Sequence, residues 1–320
     1  MIHVVTGQTA TGKTSYALKL AKELGGELIN ADTRQLYKEL DIVTGKDLHH
    51  TSGPYKLVTK RDDADIGYYP LHDDTRLWLY DVVAPNQPFS PYDYKKHAQW
   101  VIDDIESRGK APIIVGGSYF YIQHLLYDVI NNKVPPNNKL RQELGDAPVS
   151  ELQDKLKQLN ASVFEELNKS EQHNPQRLIR RIEKEMYNRS PLAREYPEPC
   201  PELVEGLWFR GRDVLYHITG FRFNSIDDLT KTISERVEKR LDAGGIDETV
   251  RLRDKGYTVN DPGLKTIGYV QIIQYLNKEI SLEEMKTIWI SKEVQYAKRQ
   301  LTFMKKNNEI EWISISCHNG

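Results

Sequence analysis

Residues 7–14 (Gly7-Gln8-Thr9-Ala10-Thr11-Gly12-Lys13-Thr14) constrain this chain more than any other segment. They match G-x-x-x-x-G-K-[ST], and the flanks supply the context the motif needs. Ile2 to Val5 is a short apolar run that reads as a buried strand. Thr14 to Leu24 reads as a helix, with Ala17, Leu18, Ala21 and Leu24 at helical spacing. In such a strand–loop–helix unit the glycines let backbone N–H groups close around phosphate oxygens. The helix N-terminus adds partial positive charge. Lys13 neutralises phosphate charge, and Thr14 offers a hydroxyl to Mg²⁺. The loop is shared by nucleotide- and ATP-binding proteins of many chemistries, so by itself it selects none of them.

The segments beyond the loop predict an α/β fold: a parallel sheet flanked by helices, of the P-loop NTPase-like kind, with an all-helical insertion. Leu28 and Ile29 mark a second strand, Leu77 to Val83 a third and Ala111 to Val115 a fourth. Leu207 to Arg210 marks a fifth. Asp93 to Arg108 is helical, with Ala98, Val101, Ile102 and Ile105 on one face, and another helix runs from Gly116-Gly117 through Leu126. Residues 47–76 are polar and aperiodic and read as a long loop or small insertion. Residues 128–199 open on Asn131-Asn132 and Pro135-Pro136. They then place Leu152, Leu156, Leu159, Val163 and Leu167 in a small helical unit. The expected organisation is a core of residues 1–127 and 200–320, with helices toward the C-terminus, carrying the helical insertion of residues 128–199.

With 320 residues the chain can bury a large core without disulfides. Its two cysteines, Cys200 and Cys317, are far apart, which excludes CxxC-type zinc and redox motifs and suits a reducing cytosol. No leader and no membrane span are expected from the sequence, which points to a cytoplasmic location. A formal net charge of -2 gives no global basic field, so a nucleic-acid partner has to be held by local patches. Two such patches occur. Arg177, Arg180, Arg181, Lys184 and Arg189 form one, and Lys298, Arg299, Lys305 and Lys306 the other. Taken alone, each reads first as an ordinary solvated helix face.

Asp32 follows the second strand, at the carboxyl end where ligands bind in open α/β sheets. Position alone leaves it divided between a ligand-facing carboxylate and a helix N-cap. Arg34 and Gln35 suit ligand or solvent equally.

These residues also carry a resemblance to a known family. Residues 7–14 together with Ala31-Asp32-Thr33-Arg34-Gln35-Leu36-Tyr37 and Leu40-Asp41-Ile42 resemble the tRNA dimethylallyltransferases, also called tRNA isopentenyltransferases or the IPP transferase family. Further segments are similar to family motifs in the family's order. They are Asp81 to Ser90, Gly116-Gly117-Ser118-Tyr119-Phe120-Tyr121-Ile122, Asn174 to Glu183, Arg236-Val237 with Arg240 and Gly244, Ile267-Gly268-Tyr269, and Tyr296 to Phe303. The likeness spans nearly the whole chain.

The resemblance implies transfer of a dimethylallyl group from dimethylallyl diphosphate to N6 of adenine 37, beside the anticodon of tRNA, with release of diphosphate. It implies Mg²⁺ as cofactor, held through Thr14, and a monomer that takes the tRNA anticodon stem-loop as partner. It makes Gly7, Gln8, Thr9, Ala10, Thr11, Gly12, Lys13 and Thr14 diphosphate ligands, and Asp32, Lys13, Thr14 and Arg236 the catalytic set. Asp32, Thr33, Arg34, Gln35, Ser118, Gln176, Arg177, Arg180, Arg181, Lys265, Gly268 and Tyr269 become tRNA contacts, with residues 128–199 clasping the anticodon arm. The adenine has to leave its stack to be modified. Tyr121 and Tyr269 are candidates to stack on splayed bases or to lie in the core.

Some positions depart from the family pattern. Gln8 replaces a proline and is expected to change backbone stiffness alone. Tyr119 replaces a glycine, and an inward-pointing ring would narrow the substrate channel. Asn174 replaces an aspartate, and Val270 a basic residue. The departures keep open an isopentenyltransferase acting on free AMP, ADP or ATP. A small-molecule P-loop kinase and a catalytically dead RNA-binding protein are the remaining alternatives.

Overall fold

The computed structural model describes residues 1–46, 48–72, 75–127, 134, 136–189 and 215–316. Two compact units emerge, Met1–Leu126 with Gly211–Gly320, and Tyr127–Arg210.

The first unit is built on one sheet. Its strands are β1 (Ile2–Gly7), β2 (Glu27–Asn30), β3 (Lys56–Arg61), β4 (Ala64–Pro70), β5 (Arg76–Trp78), β6 (Pro112–Val115), β7 (Tyr216–Phe223) and β8 (Ile310–Ile315), in spatial order β3-β4-β5-β2-β6-β1-β7-β8. From β5 to β8 every pairing is parallel. The helices of this unit are α1 (Lys13–Leu24), α2 (Pro91–Ser107) and α3 (Tyr119–Leu126), then α9 (Ile226–Asp242), α10 (Gly245–Asp254), α11 (Tyr269–Leu276) and α12 (Leu282–Met304). This is the P-loop NTPase-like α/β fold the sequence predicts. β1, β2 and β6 are buried almost throughout, which explains the apolar pairs and runs at their centres. Val5, Leu28, Ile113, Val115 and Phe221 of the sheet pack with Ala17 and Ala21 of α1, fixing the helix that follows the phosphate loop against its strand.

One expectation is corrected, and strands are found where no strand was expected. The third strand ends at Trp78 and does not reach Val83, because Leu79 and Asp81 take positive φ (60° and 53°) and turn the chain out of the sheet. Within residues 48–72 the chain builds the small insertion rather than a loop. β3 and β4 form an antiparallel hairpin closed by Asp62-Asp63, both at positive φ as a two-residue hairpin turn demands. β4 pairs antiparallel with β5 and extends the sheet. β3 is an edge strand with mostly exposed side chains, so it lacks the apolar alternation that would have announced it. Beyond the C-terminal helices, β8 adds a parallel strand beside β7. The expected strand at Leu207 to Arg210 lies outside the described residues, as do Cys200 and Cys317.

The second unit contains α4 (Asn138–Leu144), α5 (Val149–Leu159), α6 (Ala161–Glu165), α7 (Lys169–Gln172) and α8 (Pro175–Asn188). Leu140, Leu144, Leu152, Leu156, Leu167, Leu178, Ile179 and Ile182 form its core. Glu183 is buried beneath them and takes both oxygens' worth of donors from Arg141 (2.9 Å each), with Arg180 and the Asn137 N–H (2.6 Å) completing the shell. Burial pushes the Glu183 carboxyl up, but these hydrogen bonds outweigh it and hold it below the usual range. Asn174 caps α8 by accepting from the Arg177 N–H (3.2 Å), and a neutral amide serves that role as well as an aspartate.

Candidate active site

The loop after β1 leaves α1 open at its N-terminus. Gly12 occupies the N-cap with no side-chain cap, and the first turn contains no acidic residue. By contrast, Ser90 with Asp93, Ser225, and Ser281 with Glu284 cap α2, α9 and α12. The positive end of α1 is thus left for an anion. Gly7 (φ 141°) cannot be replaced, since a Cβ there would lie 2.3 Å from the Phe221 carbonyl oxygen.

A cleft of about 200 Å³ lies over this loop, lined by Thr9 to Ser15 and by Asp32, Gln35, Gly45, Tyr80, Val115, Gly116 and Arg236. Lys13 donates to the Gln8 carbonyl (2.5 Å). Burial pulls its ammonium down to about 8; Asp32 opposes that shift and Arg236 adds to it. Arg236 reaches the loop from α9, with Nη1 2.9 Å from the Thr9 hydroxyl. Sequence spacing offers no hint of that 227-residue closure. Asp32 is held by an Asx turn: its N–H donates to Asn30 Oδ1 (2.9 Å) and its Oδ1 accepts from the Arg34 N–H (3.1 Å). No helix starts at Asp32, so the N-cap reading gives way to the Asx turn, and the other carboxylate oxygen, without a hydrogen-bond partner among the described residues, is left for a ligand. Thr33 donates through its N–H to Ser118 Oγ (3.0 Å), and Gln35 donates to the Gly45 carbonyl (2.8 Å). Gly116 lets this wall close, since a Cβ would fall 2.2 Å from the Ala31 backbone.

Three polar residues that sequence reasoning passed over hold the cleft. Gln300 accepts from the Thr9 N–H (3.0 Å) and donates to the Gly117 carbonyl (2.8 Å), bracing the two loops against each other. Glu293, 3% exposed, binds Arg34 (2.8 Å) and approaches Arg240 (3.6 Å). Glu248 accepts the N–H groups of Asp41, Ile42 and Val43 (2.9, 2.7 and 3.1 Å). A signal for two of them existed. Met285, Trp289, Glu293, Ala297, Gln300 and Met304 form one buried stripe of α12, in which a Glu and a Gln at core spacing stand out.

The structure redistributes several expected tRNA contacts. Tyr269 is 0% exposed and donates to Glu248 (2.5 Å), which makes it a core residue and removes it from stacking on a base. Gly268 is likewise buried, at φ 103° against Val43 and Trp289. Arg34 lies over the Tyr296 ring (4.2 Å) and on Glu293, so its charge is engaged inside the fold. Arg180 serves Glu183 and the Val134 carbonyl (2.7 Å). Gln176 and Arg177 are exposed on α8, Arg177 paired with Glu171 (2.9 Å), while Arg181 has no ion-pair partner among the described residues. Lys265 is exposed. Tyr121 donates to the Phe89 carbonyl (2.8 Å). The Tyr119 ring packs on Phe303 and its hydroxyl accepts from Asn307 (2.5 Å), so it does not line the cleft. Gln8 does more than alter stiffness: its amide donates to the Ala297 carbonyl (3.3 Å) and accepts from the Phe223 N–H (2.9 Å).

The fit of a divalent cation follows from the donor set. No group of three His, Cys, Asp or Glu side chains gathers among the described residues. The cleft instead offers Thr14 and Asp32 among its lining residues. That suits Mg²⁺, which keeps several waters and binds chiefly through substrate phosphates. No helix among the described residues is long and apolar enough to cross a membrane.

Comparison with known proteins adds the following. Residues 71–307 match the family model described as IPP transferase, and residues 1–52 the one described as isopentenyl transferase. The chain is 32% identical over 311 residues to tRNA dimethylallyltransferase 1 of Citrifermentans bemidjiense, covering 97% of this chain and 90% of that protein. It is 32% identical over 326 residues to a tRNA dimethylallyltransferase of Thermoanaerobacter sp. strain X514, covering 98% and 91%. The full-length tRNA isopentenylpyrophosphate transferase of Bacillus halodurans superposes with a TM-score of 0.63 at 25% identity, covering 98% of this chain and 89% of that one. A eukaryotic dimethylallyltransferase solved acting on tRNA shares the fold, with a TM-score of 0.70 at 18% identity over 99% of this chain and 74% of the other.

Proposed function

The chain belongs to the IPP transferase family, and from that premise we propose how its cleft works. The chain is an enzyme, a prenyltransferase that modifies tRNA. The donor is dimethylallyl diphosphate and the acceptor is N6 of adenine 37 in the anticodon stem-loop. The observation that carries the reading is the convergence of Lys13, Arg236 and Asp32 on one small cleft over an uncapped helix N-terminus.

The reaction breaks the C1–O bond to diphosphate and forms a C1–N6 bond, and one N6 proton departs. Adenine's amino group is a poor nucleophile because its lone pair is delocalised into the ring. Asp32 hydrogen-bonds the N6 protons, orients the amine and accepts the proton. The loop N–H groups of residues 7–14, Lys13 and Arg236 take up the charge that develops on the leaving diphosphate. When bound at Thr14, Mg²⁺ supplies further neutralisation of that charge. Thr33, Gln35 and Ser118 line the route of the base, while Gln176, Arg177 and Arg181 of α8 and Lys265 hold phosphates of the RNA. Residues 128–199 clasp the anticodon arm, and the protein acts as a cytoplasmic monomer.

Incubation with dimethylallyl diphosphate, Mg²⁺ and an anticodon stem-loop, followed by nucleoside mass analysis, tests the reading. A prenylated adenosine in the RNA is expected. Prenylation of free AMP but not RNA would move the protein to the nucleotide-directed enzymes, and phosphate transfer from ATP would make it a kinase.

A further inference from the structure

A second cavity, of about 440 Å³, adjoins the donor cleft and shares Gly45 and Arg236 with it. Its other charged walls are Lys239, Arg240, Lys46 and Asp41. Asp41 and Lys46 largely cancel, since Lys46 is fully buried and bound to Asp41 (2.8 Å), to Asp81 and to the Tyr37 carbonyl (2.6 Å). The face of α9 does not cancel. Arg236, Lys239 and Arg240 project from adjacent turns. Glu293, the buried carboxylate behind them, is already shared between Arg34 and Arg240. Lys239 is exposed and has no side-chain partner among the described residues. Burial first, then the neighbouring Arg236 and, less, Arg34, pulls Arg240 down to about 10, with Glu293 and Asp32 opposing. Charges held this way in a concave, partly dry site favour an anion with several acceptor oxygens.

We propose that Arg236, Lys239 and Arg240 line a second phosphoryl-binding site beside the donor cleft. Because Arg236 borders both cavities, a phosphoryl group can pass from one set of donors to the other while remaining in contact with a guanidinium. Two sources share this chemistry: the diphosphate leaving the first cleft, and a backbone phosphate of the bound RNA. The proposal deepens the donor reading of the first cleft, but its test requires no turnover.

Titration calorimetry of the full chain with inorganic diphosphate is expected to give two classes of site. Lys13→Ala should remove the tighter class and leave the weaker. Adding Lys239→Glu in that background should weaken the remaining class at least tenfold, with Lys239→Gln intermediate and thermal melts unchanged, since Lys239 is at the surface. If a saturating anticodon stem-loop displaces the weaker class, the site holds an RNA phosphate. If that class persists and Lys239→Glu relieves product inhibition that is not competitive with the donor, the site holds departing diphosphate. A single class lost with Lys13→Ala, or a weaker class that Lys239→Glu changes by less than twofold, overturns the proposal. Neither overturning result alters the prenyl-transfer reading. Two classes without prenyl transfer would sink that reading and leave this site standing.

Discussion

The donor cleft and helix α8 both present cations, yet they come by them differently. In the cleft, Lys13 belongs to the loop, Arg236 arrives from α9, and Gln300 on α12 braces the loop from behind. Lys13 is held locally by the Gln8 carbonyl, whereas Arg236 and Gln300 each meet Thr9 from more than 200 residues away. On α8, Arg177, Arg180, Arg181 and Lys184 are placed by helical periodicity alone, and the fold then withdraws some of them. Arg180 neutralises Glu183, and burial, reinforced by Arg181 and Arg180, pulls Lys184 down to about 8. A run of basic residues on a helix therefore overstates the charge available to a ligand. A scattered set can understate it, because tertiary closure concentrates charge where desolvation makes it strong.

The comparison can be broken in order of effect. Asp32→Asn should lower turnover by about 10²-fold or more with RNA affinity retained, as loss of a positioned base requires. Single-turnover rates beside a filter-binding assay would decide it, and a near-normal rate removes Asp32 from proton transfer. Arg236→Gln should raise the donor KM by roughly 10- to 100-fold, the range of a lost charge-assisted hydrogen bond of about 1.5–3 kcal/mol. Steady-state kinetics at saturating RNA would show it.

On the helical side, Glu183→Ala removes a buried carboxylate and leaves the part-exposed Arg141 and Arg180 without their shared counter-ion. It should destabilise the second unit by about 1–2 kcal/mol while sparing the donor cleft. Denaturant unfolding against donor KM separates the two effects. Arg177→Ala with Arg181→Ala should weaken RNA binding and lower the slope of log K against log salt by up to about 2. An unchanged slope would return both residues to ordinary surface charge.

The smallest effect is in pH. Lys13 is held down at about 8, mainly by burial. The diphosphate binds the charged ammonium, so donor affinity should be level below that value. Above it, affinity should fall as the neutral amine becomes the majority form, and Lys13→Arg should flatten the decline. A decline that persists in the Lys13→Arg protein would assign it to another group.

Much of this protein was legible in the chain itself wherever the information is local. The loop of residues 7–14, the buried strands β1, β2 and β6 and the amphipathic α2 announce themselves because periodicity and glycine placement act over a few residues. The order of motifs also carried the family. What stayed hidden depends on groups that meet across the fold. The hairpin of β3 and β4 lacks apolar alternation because its outer strand is exposed. Tyr269 looks like an aromatic free to stack until Glu248 is found beside its hydroxyl. Gln300 and Glu293 stand out at core spacing on α12, but their partners Thr9, Gly117 and Arg34 are known only once the fold brings α12 against the loop. Sequence determined which groups are present and their local conformation. Tertiary structure decided which charges are neutralised inside and which face a ligand, since that depends on three-dimensional distance and desolvation and has no sequence period to betray it.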